Sequence, residues 1–459
     1  MTREEMRSGQ EADLTAVLLR REERAREQRE LLAKGGCCLV SFTMNIPGAR
    51  KRFPLATAGF REGCRELELV FSPETVLAER QVTGITGDEA MLLLTVPPEE
   101  AKRQTVQLEE RHPLGRLWDM DVLDTAGQSL SRSALGLPQR TCLVCVQPAK
   151  VCARGQRHDP ALLFDRAADL LEGFFRDRAA DTVTACALRA LLTEVSVTPK
   201  PGLVDRDNSG SHRDMDYFTF LDSAAALSPW FRNFFCLGWE RDRLPAEELF
   251  EQLRWTGQQA EAAMFAATGG VNTHKGLIFS MAVLCGALGR AHAGDCRGPL
   301  PAAELAENCR DIGSCALRDF RRAAGNTAGE CCFRDLQITG IRGEAAAGFP
   351  SVRDWGLPAL RKWLEWGADL NDAAAAALLA LIANVEDTNM IHRGGAEEAW
   401  RRRQEAGAML ENLTLKTLRL RLKQLDRDYF RNNLSPGGCA DLLAVTLMLH
   451  FLSTEGITE

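Results

Sequence analysis

The chain has 459 residues, with 56 Lys plus Arg against 63 Asp plus Glu and a net charge of −7. That length provides two or three hydrophobic cores, and the acidic balance leaves no basic stripe of the kind that holds a DNA or RNA backbone. The opening M-T-R-E-E-M-R-S-G-Q-E lacks the apolar stretch of a signal peptide, no apolar run is expected to span a bilayer, and fifteen cysteines are then expected as reduced thiols of a cytoplasmic protein.

In chain order, residues 11 to 33 predict a charged amphipathic helix, and residues 38 to 44 (C-L-V-S-F-T-M) predict a strand that ends in the turn N-I-P-G. A helix follows around 55 to 69, then the strand-like runs V-L-A-E-R-Q-V and M-L-L-L-T-V, then a helix opened by Pro97-Pro98-Glu99-Glu100. Strands divided by helices indicate an α+β N-terminal domain. From about residue 178 the periodicity is almost only helical, in runs such as D-A-A-A-A-A-L-L-A-L-I-A and D-L-L-A-V-T-L-M-L-H-F-L. These predict a larger all-α C-terminal domain. No Gly/Ser or Pro-rich linker marks the join, which is expected between residues 165 and 180 and is drawn as domains 1–172 and 173–459.

In the first half, H-P-L-G-R-L-W-D-M-D-V-L (112 to 123) places Asp119 and Asp121 on one face of a strand, two residues apart, with Arg116 nearby. Such a pair suits a divalent ion and transfer of a phosphoryl or nucleotidyl group. His112 is explained equally well by a local hydrogen bond. Further on, Cys142, Cys145, Cys152 and His158 have a spacing that can ligate zinc, although buried cysteines are also ordinary core residues. Arg140, Lys150, Arg154 and Arg157 around them suit phosphates or an acidic partner.

The second half carries a loop, P-K-P-G-L-V-D-R-D-N-S-G-S-H-R-D (199 to 214), that gathers Lys200, Asp205, His212, Arg213 and Asp214 with no apolar period. A solvated turn with capping side chains is its bland explanation. Four more polar, glycine-bearing segments interrupt the helices: 269 to 276, 339 to 350, 385 to 395 and 435 to 443. Asn272, Thr273, His274 and Lys275 precede an apolar helix, where free N–H groups favour an anion. Glu386 and Asp387, followed by His392 and Arg393, are candidates to join Asp205 and Asp214 in holding Mg²⁺ against a polyphosphate. Asp441, at the start of the last helix, is expected to be a cap.

These motifs resemble two known families. Residues from about 10 to 170, with N-I-P-G, H-P-L-G-R-L-W-D-M-D-V-L-D and R-T-C-L-V-C, are similar to the apo-citrate lyase phosphoribosyl-dephospho-coenzyme A transferases, also called holo-citrate lyase synthases. Residues from about 180 to 459, with T-P-K-P-G-L-V-D-R, G-V-N-T-H-K-G, G-I-R-G-E-A-A-A-G-F-P, E-D-T-N-M-I-H-R-G-G and S-P-G-G-C-A-D-L-L, are similar to the triphosphoribosyl-dephospho-coenzyme A synthases. The tandem order resembles the fused bifunctional form.

The resemblance implies two reactions. The second half would join ATP to 3′-dephospho-coenzyme A with loss of adenine, and the first would transfer the product to a serine of the citrate lyase acyl carrier protein with loss of pyrophosphate. For the first reaction it implies Asp205, Asp214, Glu344 and Asp387 beside the ribose and the attacking hydroxyl, and Lys200, His212, Asn272, Thr273, His274, Lys275, Arg342 and Arg393 around the phosphates. For the second it implies Asp119 and Asp121 with Mg²⁺, assisted by Arg116. A metal-dependent nucleotide or ribosyl hydrolase would use similar groups. A non-catalytic assembly factor would need neither acidic pair, and a malonate decarboxylase pathway would use the same cofactor.

Overall fold

The computed structural model describes residues 3–293, 299–321 and 328–459. The chain divides into two compact units between Asp177 and Arg178, inside the long helix Pro160–Ser196. It is mostly helical, with one four-stranded sheet near the N-terminus.

That sheet is antiparallel, formed by β1 (Cys38–Met44), β2 (Val76–Gly84), β3 (Gly87–Leu94) and β4 (Trp118–Asp124) in the order β2-β3-β1-β4. Alternation along each strand sorts side chains between two faces. On one face Val40, Phe42, Leu92, Leu94, Trp118, Met120 and Val122 join the helices Pro54–Val70 and Pro98–Arg111 in the main core. On the other, Leu39, Met91, Leu93 and Leu123 form a smaller core with Leu31 of the helix Leu14–Leu32. β4 is an edge strand whose residues alternate between buried and exposed, so Asp119 and Asp121 fall on its outer side while Trp118 and Met120 are buried. The register sets Ser41 of β1 opposite Asp121 and Thr43 opposite Asp119.

From Pro160 onward the described residues form helices, apart from loops and an isolated bridge between Leu300 and Thr458. The helices Tyr217–Glu240 and Lys275–His292 approach closely because glycines meet backbone across the contact: a Cβ on Gly238 would strike the Gly286 carbonyl, and one on Gly289 the Phe235 carbonyl. The helices Leu370–Asn384 and Gly437–Thr454 bring an almost continuous apolar surface to the core. By length and composition the Gly437–Thr454 helix is apolar enough to cross a membrane, which corrects the expectation that no run would be. Its Leu442, Leu443, Val445, Leu447, Met448 and Phe451 are all buried in the protein, so that apolarity serves packing. No disulfide joins the fourteen described cysteines, and Cys296 lies outside the described residues.

Candidate functional site

The polar loop after Ser196 is built around Asp205. One carboxylate oxygen accepts from the Lys200 N–H at 3.0 Å, and the other accepts from the N–H groups of Asp207 and Asn208 at 2.7 and 3.0 Å. Asp426 accepts from the Gly202 N–H at 3.0 Å and from the Asn208 amide at 3.2 Å. Gly202 has φ of +71°, and a Cβ there would meet the Leu434 carbonyl, so a side chain is excluded both conformationally and sterically. Asp205 was expected beside the substrate or a metal. It is 2 % exposed, and its carboxylate is occupied by the loop's own backbone.

This fold turns Lys200 inward, where its Nζ lies 2.5 Å from Glu194 Oε1. Both line a cavity of about 1590 Å³ in the second unit, together with His212 and Asp214 from the same loop. Asn272, Thr273, His274 and Lys275 come from the start of the Lys275–His292 helix. Arg342 and Glu344 come from the Gly340–Ala346 helix; Glu386, Asp387 and Arg393 come from the segment after Asn384. Asp441 comes from the last helix. All five glycine-bearing polar segments therefore meet on one wall system.

The candidates within it are not equivalent. His274 is 3 % exposed, its Nδ1 lies 2.6 Å from the Ser223 hydroxyl, and burial followed by the Lys200 charge pulls its pKa down to about 3. It is neutral at pH 7, which corrects the expectation of a phosphate-pairing cation. His212 is lowered to about 4 by burial and then by Arg393, whose guanidinium donates to His212 Nδ1 at 3.3 Å. Nε2 must then carry the proton, and it donates to the Ser435 hydroxyl at 3.0 Å. Arg393 also donates to the Ser211 carbonyl, at 2.9 Å. Asn272 Oδ1 accepts from the Lys275 N–H at 3.2 Å, so it satisfies the helix start itself. Lys275 is half exposed, with Nζ 3.1 Å from Glu261, and Arg342 stands over the Phe320 ring and 4.0 Å from Glu330.

Among the acids, Asp387 is buried and fully engaged: Oδ1 accepts from the N–H groups of Asn389 and Met390, both at 2.9 Å, and Oδ2 from Cys439 at 2.7 Å. It joins the starts of two helices. Glu386 is half exposed and 3.8 Å from Arg403. Glu344 accepts from the Ser351 hydroxyl at 2.6 Å and backbone at 3.2 Å, and burial raises its pKa. Asp441 is no cap. It lies in the second turn of its helix, has no hydrogen-bond partner among the described residues, and is pushed well above the usual carboxylate range by desolvation, then by Glu194 and Asp387. Gly276 is small because a Cβ there would strike this carboxylate.

In the first unit, Asp119 lies 3.2 Å from the Arg140 guanidinium, which also donates to the carbonyls of Gly115, Arg116 and Trp118. Asp119 is thus paired with a side chain that the sequence suggested for phosphate. Asp121 has no such partner, and desolvation followed by the Asp119 charge raises its pKa. Arg116 donates to the Thr141 carbonyl. His112 Nδ1 accepts from the Leu114 N–H at 3.1 Å, its ring stacks on Trp118, and it lies beside Glu62 and Glu66. Cys142, Cys145, Cys152 and His158 converge, their potential ligand atoms all within 4.8 Å of one another.

Glu194 was missed, although an acid near the end of the apolar run T-A-C-A-L-R-A-L-L-T-E, six residues before Lys200, was a signal for a buried pair. Ser223 sits in an unremarked helix and had no signal.

Comparison with known proteins follows this division. Residues 180–458 match the family described as ATP:dephospho-CoA triphosphoribosyl transferase, and residues 12–174 match apo-citrate lyase phosphoribosyl-dephospho-CoA transferase. The chain is 35% identical over 465 aligned residues to Protein CitXG of Haemophilus influenzae, covering 98% of this chain and 97% of that one. It is 33% identical to Protein CitXG of Leuconostoc mesenteroides subsp. cremoris, covering 96% and 97%. A probable 2-(5''-triphosphoribosyl)-3'-dephosphocoenzyme-A synthase of Vibrio cholerae is 40% identical over 272 residues, covering 58% of this chain and 86% of that one. With both relationships running in one order along nearly its whole length, the chain belongs to the fused bifunctional transferases that pair an apo-citrate lyase phosphoribosyl-dephospho-CoA transferase with an ATP:dephospho-CoA triphosphoribosyl transferase.

Proposed function

We propose that the two units catalyse consecutive steps, the cavity of the second making the citrate lyase prosthetic group and the β4 edge of the first attaching it to the lyase's acyl carrier protein. The observation that carries this reading is the single cavity into which all five polar segments of the synthase-like half converge.

In the first step the 2′-hydroxyl oxygen of dephospho-coenzyme A attacks the anomeric carbon of the ATP ribose. The bond to adenine breaks, the hydroxyl proton passes to a base, and adenine leaves with a proton. Glu344, oriented by Ser351, is the proposed base, and Asp441, held protonated by its surroundings, the proposed donor to adenine. Negative charge on Asp214 and the neighbouring carboxyls favours the oxocarbenium-like centre. Lys275 and Arg342 are the proposed triphosphate grips, since both have side chains at the cavity with part of their charge open to solvent. The Gly276 and Leu277 N–H groups add to them, because the first turn of a helix offers them no carbonyl.

In the second step the carrier serine oxygen attacks the α-phosphorus as its hydroxyl proton passes to a base or solvent, the bond to the β-phosphate breaks, and pyrophosphate departs. Mg²⁺, when bound, would offset phosphate charge in either site. Asp121 fits such an ion because its carboxyl is not consumed by a donor among the described residues. Asp205 and Asp387 do not fit, as backbone N–H groups already occupy both their oxygens. Zinc in the Cys142, Cys145, Cys152 and His158 cluster belongs to neither reaction centre. The test is adenine release from ATP by the full chain. Release that requires dephospho-coenzyme A supports transfer, and equal release without it means hydrolysis.

A further inference from the structure

We propose that Cys142, Cys145, Cys152 and His158 hold a structural zinc ion that folds residues 140–158. Four side chains from a C-x2-C-x6-C-x5-H series supply one ligand atom each, all within 4.8 Å of one another. A tetrahedral zinc with Zn–S bonds of about 2.3 Å sets sulfurs about 3.8 Å apart, and the Cys145 and Cys152 sulfurs are already 3.5 Å apart. His158 Nε2 is shut off from solvent and has no hydrogen-bond partner. A ring nitrogen that is buried and unpaired is costly unless a ligand uses it.

The backbone is arranged for the same purpose. The Cys142 N–H donates to the Gln147 carbonyl at 2.7 Å and the Ala149 N–H to the Arg140 carbonyl at 2.8 Å, which closes a hairpin with Cys142 and Cys145 in its turn. The short helix Ala149–Arg154 then brings Cys152 underneath, and His158 follows before the next helix begins.

Little else orders this segment. Val144, Val146 and Val151 are exposed, while Leu143 packs only partly against the main core. Such a stretch buries too little apolar surface to offset its conformational entropy, and a metal clip supplies what is missing. The segment begins at Arg140, which reaches Asp119, and Thr141, whose carbonyl accepts from Arg116. Resting on the transferase reading above, zinc would thereby position Arg140 beside the β4 carboxylates.

The test is elemental analysis of the full-length protein, purified reduced and without chelator, beside Cys152→Ala and, as a control in the same unit, Cys64→Ala. About one zinc per chain is expected in wild type and in Cys64→Ala, with loss of more than tenfold in Cys152→Ala. Cobalt substituted into wild type should give the intense visible bands and thiolate charge transfer of a tetrahedral sulfur-rich site. Wild type that contains no zinc and takes up none from Zn²⁺ alone, or peptide mapping that finds a Cys145–Cys152 disulfide, overturns the proposal. Cys152→Ala should lose carrier attachment and keep adenine release. Retained attachment in a zinc-free variant overturns the positioning role, and loss of both activities points to general misfolding, against a role confined to this segment.

Discussion

Lys200 Nζ stands 2.5 Å from Glu194 Oε1 on the cavity wall, with both side chains almost wholly buried. Removing one partner of such a pair strands the other charge, at a cost of about 3–5 kcal/mol, whereas replacing both with apolar groups is often tolerated. Lys200→Met should therefore lower urea stability by about that amount, and Lys200→Met with Glu194→Leu should recover most of it. A stable double variant without synthase activity would place the pair in substrate binding as well as in folding. A single variant with unchanged stability would contradict the buried pairing.

Lys275 tests the phosphate grip. Its ammonium is half exposed and 3.1 Å from Glu261, so it is available to a ligand in a way that His274 is not. Lys275→Ala should reduce kcat/KM for ATP about ten- to a hundredfold, the loss of one charge-assisted contact. Glu261→Gln should leave ATP efficiency equal or better. Steady-state adenine release at varied ATP checks both, and a Lys275→Ala value within about twofold of wild type removes Lys275 from the phosphate site.

His274 gives a pH signature. Its pKa is about 3 in the folded protein against about 6.5 when unfolded. Below the unfolded value the unfolded chain binds a proton that the folded chain refuses, so this group makes stability fall as pH falls from about 6.5 toward the folded pKa. The stability advantage of wild type over His274→Gln should shrink between pH 7 and pH 5, by up to about 2 kcal/mol. Denaturant titrations at the two pH values measure it, and a constant difference would mean that His274 titrates alike in both states.

The β4 pair separates two roles that strand alternation alone merges into one. Asp121→Asn should abolish attachment to the carrier and leave adenine release near wild type, because Asp121 is the carboxyl without a side-chain partner. Asp119→Asn should cost less, since it only weakens a pairing that Arg140 also makes with three backbone carbonyls. Mass analysis of the carrier after timed incubation ranks the two, and the reverse order would reassign the metal-facing acid to Asp119.

Local patterning made the elements of the first unit legible: β1 falls at Cys38–Met44, and the Pro97-Pro98-Glu99-Glu100 signal opens the helix Pro98–Arg111 as expected. The polar interruptions among apolar helices likewise marked the segments that line the cavity. What the sequence could not resolve was which polar group faces a ligand and which serves the backbone. Asp205 and Asp387 look like ligands in one dimension, but each is consumed by nearby N–H groups. Asp441 looks like a cap, yet it faces the cavity because Gly276 leaves it room. His274 looks cationic, but burial and then the Lys200 charge hold its pKa at about 3. The Asp387, Asp441 and His274 outcomes depend in part on long-range contacts with Cys439, Gly276 and Ser223, whereas Asp205 is engaged by N–H groups of its own loop.

The most direct measurement is mass spectrometry of the apo acyl carrier protein after incubation with this chain, ATP and dephospho-coenzyme A, with adenine quantified in the same sample. The expected result is a carrier heavier by one phosphoribosyl-dephospho-coenzyme A group and at least one adenine per modified carrier, both lost when dephospho-coenzyme A is omitted. An unmodified carrier, or adenine released equally without the acceptor, would contradict it.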